Sequence, residues 1–298
     1  MNIDDLQAFI AVADTGSFSL AAEKLFITQP AVSKRIAALE ASLNHKVFDR
    51  IGRHVALTPA GTELLPRAQN IIQQLKDTKR TLQELSGEIV GVLRIATSHH
   101  IGLHHLPPIL QRFSDQHPEV NLEVEFVDSE KAYRRVAEGE CELGIVTLAP
   151  SSTAPLSAEI IWPDPLSFVV SSRHPLAQKG IKQKISLQEL GRYRAILPDA
   201  TTYTGRLIRS HFESANVKID SGMTTNYLET IKMMVSVGLG WSVLPQTMLD
   251  KQLTQLSIDT DAMTRQLGVI KHQQRTLGNA AKRFYDMLHH SSHKKKKA

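Results

Sequence analysis

The sequence predicts an α/β chain with a mainly helical N-terminal end and a larger remainder in which short strands alternate with helices. Three observations carry this. Apolar residues recur at helical spacing through residues 3–43. A second helical pattern, with apolar spacings of 4, 3, 4, 3, 4 and 3, begins after Thr58-Pro59. From Val92 onward short β-prone runs alternate with helical stretches, the pattern of a parallel α/β sheet. At 298 residues and 42% hydrophobic content, the chain accommodates a small domain and a larger one.

Ile3, Leu6, Phe9, Ile10 and Ala13 trace one face of a first helix, and Gly16 is its natural stop. Residues 17–43 then read as two short helices around a tight turn. Ser19 is the expected N-cap of the first, with Ala21, Ala22 and Leu25 as its apolar face. Phe26 and Ile27 make the turn, Thr28 caps the second helix, and Pro30 fits its first turn, where no N–H is needed. Val32, Ile36, Leu39 and Leu43 give that helix a core face. Its opposite face carries Gln29, Ser33 and Lys34, with Arg35 nearby. Short polar groups near a helix N-terminus, followed by cations, are the chemistry of a helix in a DNA major groove. Residues 47–50 and 54–57 are short β-prone runs that form a two-stranded wing, with Arg50 and Arg53 at its tip to reach phosphate or the minor groove. The expected class at this end is therefore a winged helix-turn-helix, whose DNA-contact candidates are Thr28, Gln29, Pro30, Ser33, Lys34, Arg35, Arg50 and Arg53. The plain alternative is a pair of surface helices with solvated cations.

The helix opened by Thr58-Pro59 is expected to run to about Glu88, with a bend at Pro66. Leu64, Ala68, Ile71, Leu75, Thr78, Leu82 and Leu85 form a heptad seam, which predicts pairing with a second copy. Packing against the chain's own downstream domain is the alternative.

In the second half, strands are expected at 92–96, 120–127, 143–146, 166–171, 195–197, 241–244 and 267–270, with helices between them and a closing helix at 280–288. A late return strand suggests two subdomains, the first interrupted by the second, with crossings near 162 and 266. In open α/β sheets ligands sit beyond the carboxyl ends of strands and at helix N-termini. Thr97, Ser98 and His99 follow the first strand, Thr147 ends the third, and Thr202 and Thr204 precede a helix containing Arg206. Asn226 stands just before another helix. These seven residues are the pocket candidates, and hydroxyls with helix N-termini favour a carboxylate or an oxyanion. Each threonine also has an ordinary N-capping role open to it. His99, His100, His104 and His105 invite a metal reading, but no cysteine or carboxylate cluster accompanies them in sequence, so no metal site is expected.

Of the net charge of +5, Lys294–Lys297 supply four, so placement of cations rather than overall charge supports DNA binding. The tail itself reads as a solubilising end or a source of nonspecific phosphate affinity. The sequence has no apolar run long enough to span a membrane and no signal peptide, and the lone Cys141 excludes an intramolecular disulfide, so a cytoplasmic protein is expected. Cys141 reads as packing more readily than as a redox sensor. No catalytic residues are assigned: the sequence holds no nucleophile elbow, P-loop or dinucleotide fingerprint, and Gly238-Leu239-Gly240 is a helix-to-strand turn. An architectural DNA-binding protein would need a broad basic face, which a core charge of +1 does not supply.

From Leu6 to Gly61 the string LQAFIAVADTGSFSLAAEKLFITQPAVSKRIAALEASLNHKVFDRIGRHVALTPAG resembles the LysR-type transcriptional regulators of bacteria. Beyond residue 65 the chain keeps that family's length and order with only loose landmarks. The resemblance implies a winged helix-turn-helix over 1–58 and a dimerising linker helix over 59–90. It further implies an effector-binding domain over 91–291 that is like a periplasmic binding protein, followed by a basic tail at 292–298. Within that domain, subdomain I would comprise 91–162 and 266–291, and subdomain II 163–265. It also implies a dimer of dimers that binds and bends double-stranded promoter DNA, RNA polymerase as a further partner, and a small effector rather than a bound cofactor. The pocket candidates align with the family's effector-binding segments. A solute-binding protein shares the fold of the second half, but the DNA-binding unit and the missing signal peptide oppose that reading.

Overall fold

The computed structural model describes residues 1–51, 54–83, 87–151 and 154–295. Two compact units divide at 88/89. In the first, α1 (Ile3–Thr15) begins in a capping box: Asn2 Oδ1 accepts from the Asp5 amide and Asp5 reciprocates. It ends at Gly16, whose φ of +62° is the left-handed conformation expected of a stop. Helix α2 (Phe18–Leu25) is capped by Ser17 and not by Ser19, its second residue: the Ser17 hydroxyl accepts from the Leu20 amide. Thr28 caps α3 (Gln29–Leu43) as expected, with Pro30 in the first turn. Val32, Ile36 and Leu39 of α3 are buried with Leu6, Phe9 and Val12 of α1 and with Ala21 and Ala22 of α2. The wing pairs β1 (Phe48–Ile51) antiparallel with β2 (His54–Leu57).

Helix α4 (Pro59–Gln83) departs from the expected uninterrupted seam. Ala68 is fully buried and Leu64 packs beside it, both in the core that α1 and the wing share, together with Leu65 and Ile72. The first four turns thus serve their own domain, because Thr58 and Gly61 pin the helix start against Lys46 and Val47, just before the wing. The Thr58 hydroxyl donates to Lys46 O and accepts from the Gly61 amide, and a side chain at Gly61 would collide with Val47 O at 2.1 Å. Only the later apolar seam positions stay uncovered: Ile71 and Leu82 are exposed and Leu75 is half-buried. Thr78 is exposed. Leu85, Arg53 and the side chain of Arg50 lie outside the described residues.

The second unit is built on a mixed sheet, not the parallel one expected. Strands β3 (Gly91–Thr97), β4 (Val120–Phe126) and β5 (Leu143–Thr147) are mutually parallel. Strand β6 (Leu156–Ser171) is one strand of sixteen residues where only 166–171 was expected, and it pairs antiparallel with β11 (Thr264–His272). Among the described residues the sheet order is β10-β6-β11-β5-β3-β4, with β9 (Ser242–Pro245) also on β6 and β10 (Leu253–Gln255) at the edge. Helices α6 (Pro107–Gln116) and α12 (Asn279–Lys295) cover one face through Phe113 and Phe284, and α7 (Ser129–Ala137) covers the other. The second half of β6 instead enters a separate core with Phe212 of α10 (Tyr203–Ser214) and Trp241. There β7 (Ala195–Leu197) and β8 (Ser221–Thr224) pair parallel, and α11 (Leu228–Ser236) packs outside. Other elements escaped sequence reading, among them the one-and-a-half-turn α5 (His99–His104), α8 (Pro175–Lys182), α9 (Leu187–Leu190) and the short strands β8 and β10. Core membership changes between Trp162 and Leu166 on β6, and between Met263, which directly precedes β11, and Leu267 on it, so the chain passes between the cores along β6 and the start of β11.

Candidate functional site

On the first unit the exposed face of α3 presents Thr28, Gln29, Pro30 and Lys34 to solvent. Gln29 Nε2 donates to Ser33 Oγ at 2.9 Å, one helical turn away, so two polar tips are held side by side. Arg35 is differently placed: its guanidinium reaches back 3.2 Å to Asp4, bracing α3 on α1. Phe26 occupies the turn with φ +55° and is 95% exposed, an unusual position for a phenylalanine directly before the capped helix.

The second unit has a small polar cleft between its two cores. Of the seven sequence candidates, Ser98, His99, Thr147, Thr202, Thr204 and Asn226 line it, and Thr97 does not. The Thr97 side chain is fully buried and its hydroxyl donates to Ile145 O across to β5, so it serves the sheet. Ser98 stands at the N-cap of α5 but makes no capping hydrogen bond, which leaves its hydroxyl to the cleft. Thr202 does cap: its hydroxyl accepts from the Gly205 amide and donates to Asp199 O.

Charged residues absent from the sequence candidates dominate the electrostatics. Asp164 and Arg265 face each other in register on β6 and β11, at the crossing, and form a buried pair at 2.7 Å. Arg265 Nη1 donates to Thr204 Oγ1 at 2.9 Å, while Nη2 is buried with no hydrogen-bond partner. From α7, Glu130 Oε1 accepts from the Tyr203 amide at 2.5 Å, the first turn of α10, with Arg206 3.8 Å from the same oxygen. Asp128 accepts from Asn226 Nδ2, whose own oxygen accepts from the Asp199 amide. Two carboxylates on one side of the cleft thus close onto amide donors on the other. His100 is buried, and burial first, then the charge of Arg265 and its neighbours His104 and His105, lowers its pKa to about 2. Asp164 lies 3.8 Å from His100 but is already neutralised by Arg265, so it does not offset that burial.

The rule that found Ser98 and Thr202 would have found Asp128 and Glu130 as well, since they follow the end of β4 and open α7. Asp164 and Arg265 gave a weaker signal, a single charge in each of two β-prone runs, and only their register makes them a pair.

Similarity to known proteins bears on both units. Residues 3–62 match the bacterial regulatory helix-turn-helix model of the lysR family, and residues 86–292 match the LysR substrate binding domain. A probable nitrogen assimilation transcriptional activator of Synechococcus elongatus is 30% identical over 251 residues, covering 84% of this chain and 80% of its own. An uncharacterized HTH-type transcriptional regulator of Azotobacter vinelandii is 62% identical over 108 residues, 36% of this chain and 75% of its own length. Among solved structures, a full-length OxyR variant from Pseudomonas aeruginosa gives a TM-score of 0.72 at 21% identity, covering 98% of this chain and 94% of that one. Full-length CbnR complexed with its target DNA gives 0.64 at 19% identity, covering 98% and 100%. These structures share the fold. With a DNA-binding helix-turn-helix at one end, an effector-binding domain at the other and family models matching both, the chain belongs to the LysR family of transcriptional regulators.

Proposed function

We propose that this regulator binds specific promoter DNA in the cytoplasm as a dimer of dimers. A small anion in the cleft then controls DNA bending and contact with RNA polymerase. Residues 1–58 read and grip DNA, 59–90 pair with a second copy through the later seam, and 91–291 sense the effector. Gln29 and Ser33 address base edges, Thr28, Pro30 and Lys34 lie against the backbone, and Arg50 and Arg53 reach from the wing; Arg35 contributes by fixing the angle of α3.

The observation that carries the effector's charge is Arg265. The side chain lines the cleft; its Nε and Nη1 are engaged, and its buried Nη2 is a donor without an acceptor. A buried unpaired donor on a cation is costly, and a carboxylate or oxyanion satisfies it. Glu130 supports the same chemistry, because a carboxylate already sits at the first turn of α10. An anionic effector takes that position like for like, frees Glu130 and lets α7 move relative to α10. Ligand affinity then differs between the two arrangements, which is the requirement for a switch.

The test is a thermal-shift screen of the full chain with small carboxylates, inorganic oxyanions, amines and neutral polyols, on wild type and Ser98→Ala. Genomic fragments bound by the protein are then footprinted with and without the hit. Stabilisation by an anion, weakened about ten- to a hundredfold in Ser98→Ala as expected for one hydrogen bond to a charged ligand, supports the reading. Response to amines or neutral compounds alone overturns it. On DNA, Gln29→Ala is expected to cost about 1–3 kcal/mol of base discrimination; unchanged preference removes Gln29 from base reading.

A further inference from the structure

The histidines of α5 were expected to lack carboxylate companions, and the fold supplies them. His100 and His104 are one helical turn apart, with ring centroids 4.8 Å apart. Glu229, on α11 of the other subdomain and 125 residues away in sequence, places a carboxylate oxygen 3.1 Å from His104 Nε2. One ligand atom from each of His100, His104 and Glu229 lies within 4.8 Å of the others. We propose that these three side chains bind a transition-metal dication of the zinc type, joining the two subdomains across the cleft.

Three features support the assignment. Both ring nitrogens of His100 are buried without a hydrogen-bond partner, although the ring is only 4% exposed. An imidazole buried in that way needs an acceptor, a donor or an ion. Two histidines at i and i+4 with a carboxylate from elsewhere make a recurrent three-ligand set for zinc, with a fourth position left to water or ligand. His104 and Glu229 are about one-third exposed, which gives an ion a path in and lets both side chains close up. Closing is modest, because ligands on a tetrahedral ion with bonds of about 2.0–2.1 Å lie roughly 3.3 Å apart.

A competing set, His100 with His105 and Asp164, is equally compact but fully buried. There Asp164 already holds the Arg265 cation at 2.7 Å, and a dication would sit beside that charge. His99 is turned away, edge-on to Tyr227 and against Phe126. A metal at His100, His104 and Glu229 would fasten α5 to α11 and so favour the closed cleft, whatever effector the cleft takes.

The experiment titrates zinc into the metal-free full chain against a chromophoric chelator, and cobalt in parallel for its tetrahedral ligand-field absorption. Wild type, His104→Ala, Glu229→Ala and a triple tail variant, His289→Ala with His290→Ala and His293→Ala, are compared. We expect one tight site per chain, weakened at least about a hundredfold in each of the first two variants, since a lost ligand exceeds the loss from a lost outer partner. The tail variant should keep the site and the cobalt bands. Because His104 and Glu229 are partly exposed, both variants should retain native tryptophan fluorescence. Undiminished affinity in either of them, loss only in the tail variant, or no tight site in wild type overturns the assignment.

Discussion

Replacing His100 by phenylalanine should change how the sensor's stability depends on pH. Folded, this imidazole titrates near 2; unfolded, it titrates near 6.5. Between those values the unfolded chain holds a proton that the folded one does not, so stability is full above about pH 6.5 and falls as the pH drops below it. Each pH unit below that point costs about 1.4 kcal/mol, so the His100 contribution from pH 8 to about pH 5 is a loss of about 2 kcal/mol. Both tryptophans, Trp162 and Trp241, are buried in the second unit, so urea unfolding followed by their fluorescence reports that unit alone. Chelator in the buffer keeps metal off the ring. Other groups titrate too, and the wild type minus His100→Phe difference removes them. We expect wild type to lose about 2 kcal/mol more than the variant over this interval. Parallel pH profiles would refute the reasoning, because they would mean that the buried ring takes its proton as readily folded as unfolded.

Other perturbations have equally definite outcomes. Asp164→Asn leaves the Arg265 charge buried without its partner, so the same urea assay should show a loss of about 3–5 kcal/mol; a loss below about 1 kcal/mol would mean that water reaches the pair. Leu75→Glu with Leu82→Glu puts charge on the uncovered part of the α4 seam and should abolish dimers in sedimentation, leaving the tryptophan-reported unfolding unchanged. Unchanged mass would place the dimer contact elsewhere. Gly205→Ala would put a methyl 2.0 Å from Asp199 O, at the start of α10, and should cost about 1–3 kcal/mol. Wild-type stability there would show that the turn relaxes freely.

What the sequence disclosed about the fold follows how local each signal was. The helix-turn-helix is built from short-range capping and periodicity, so Thr28, Pro30 and the Val32-Ile36-Leu39 face were all legible, and the misplaced cap at Ser19 is a shift of two residues. The α4 seam was legible as a pattern but not in its destination: spacing does not say whether Ala68 meets a copy or its own domain. In the sensor, the ends of strands named six residues that the fold brings to one cleft. Its interior depends on pairings more than sixty residues apart, Arg265 with Asp164 and Thr204, Glu130 with the Tyr203 amide. Thr97 shows the reverse error, for a hydroxyl at a strand end looks like a ligand group until the neighbouring strand's carbonyl is known. Strand β6 was half-missed because Pro163 and Pro165 interrupt its β-prone pattern, and its partner accepts them at the crossing.

The two continuous crossing strands set the mechanics of the sensor. Subdomains strung on loops swivel freely, whereas β6 and β11 make a hydrogen-bonded ribbon that resists torsion along its length. Its ladder is interrupted by a bulge at Leu267/Gly268, where the register skips Ile161 and where a side chain on Gly268 would strike Glu159 O at 2.1 Å. Rotation of one half against the other has to twist this ribbon, so it is limited to small angles and works against a restoring force. A sensor built on such a ribbon is a torsion spring, in which any turn of one half against the other is stored as twist in two paired strands.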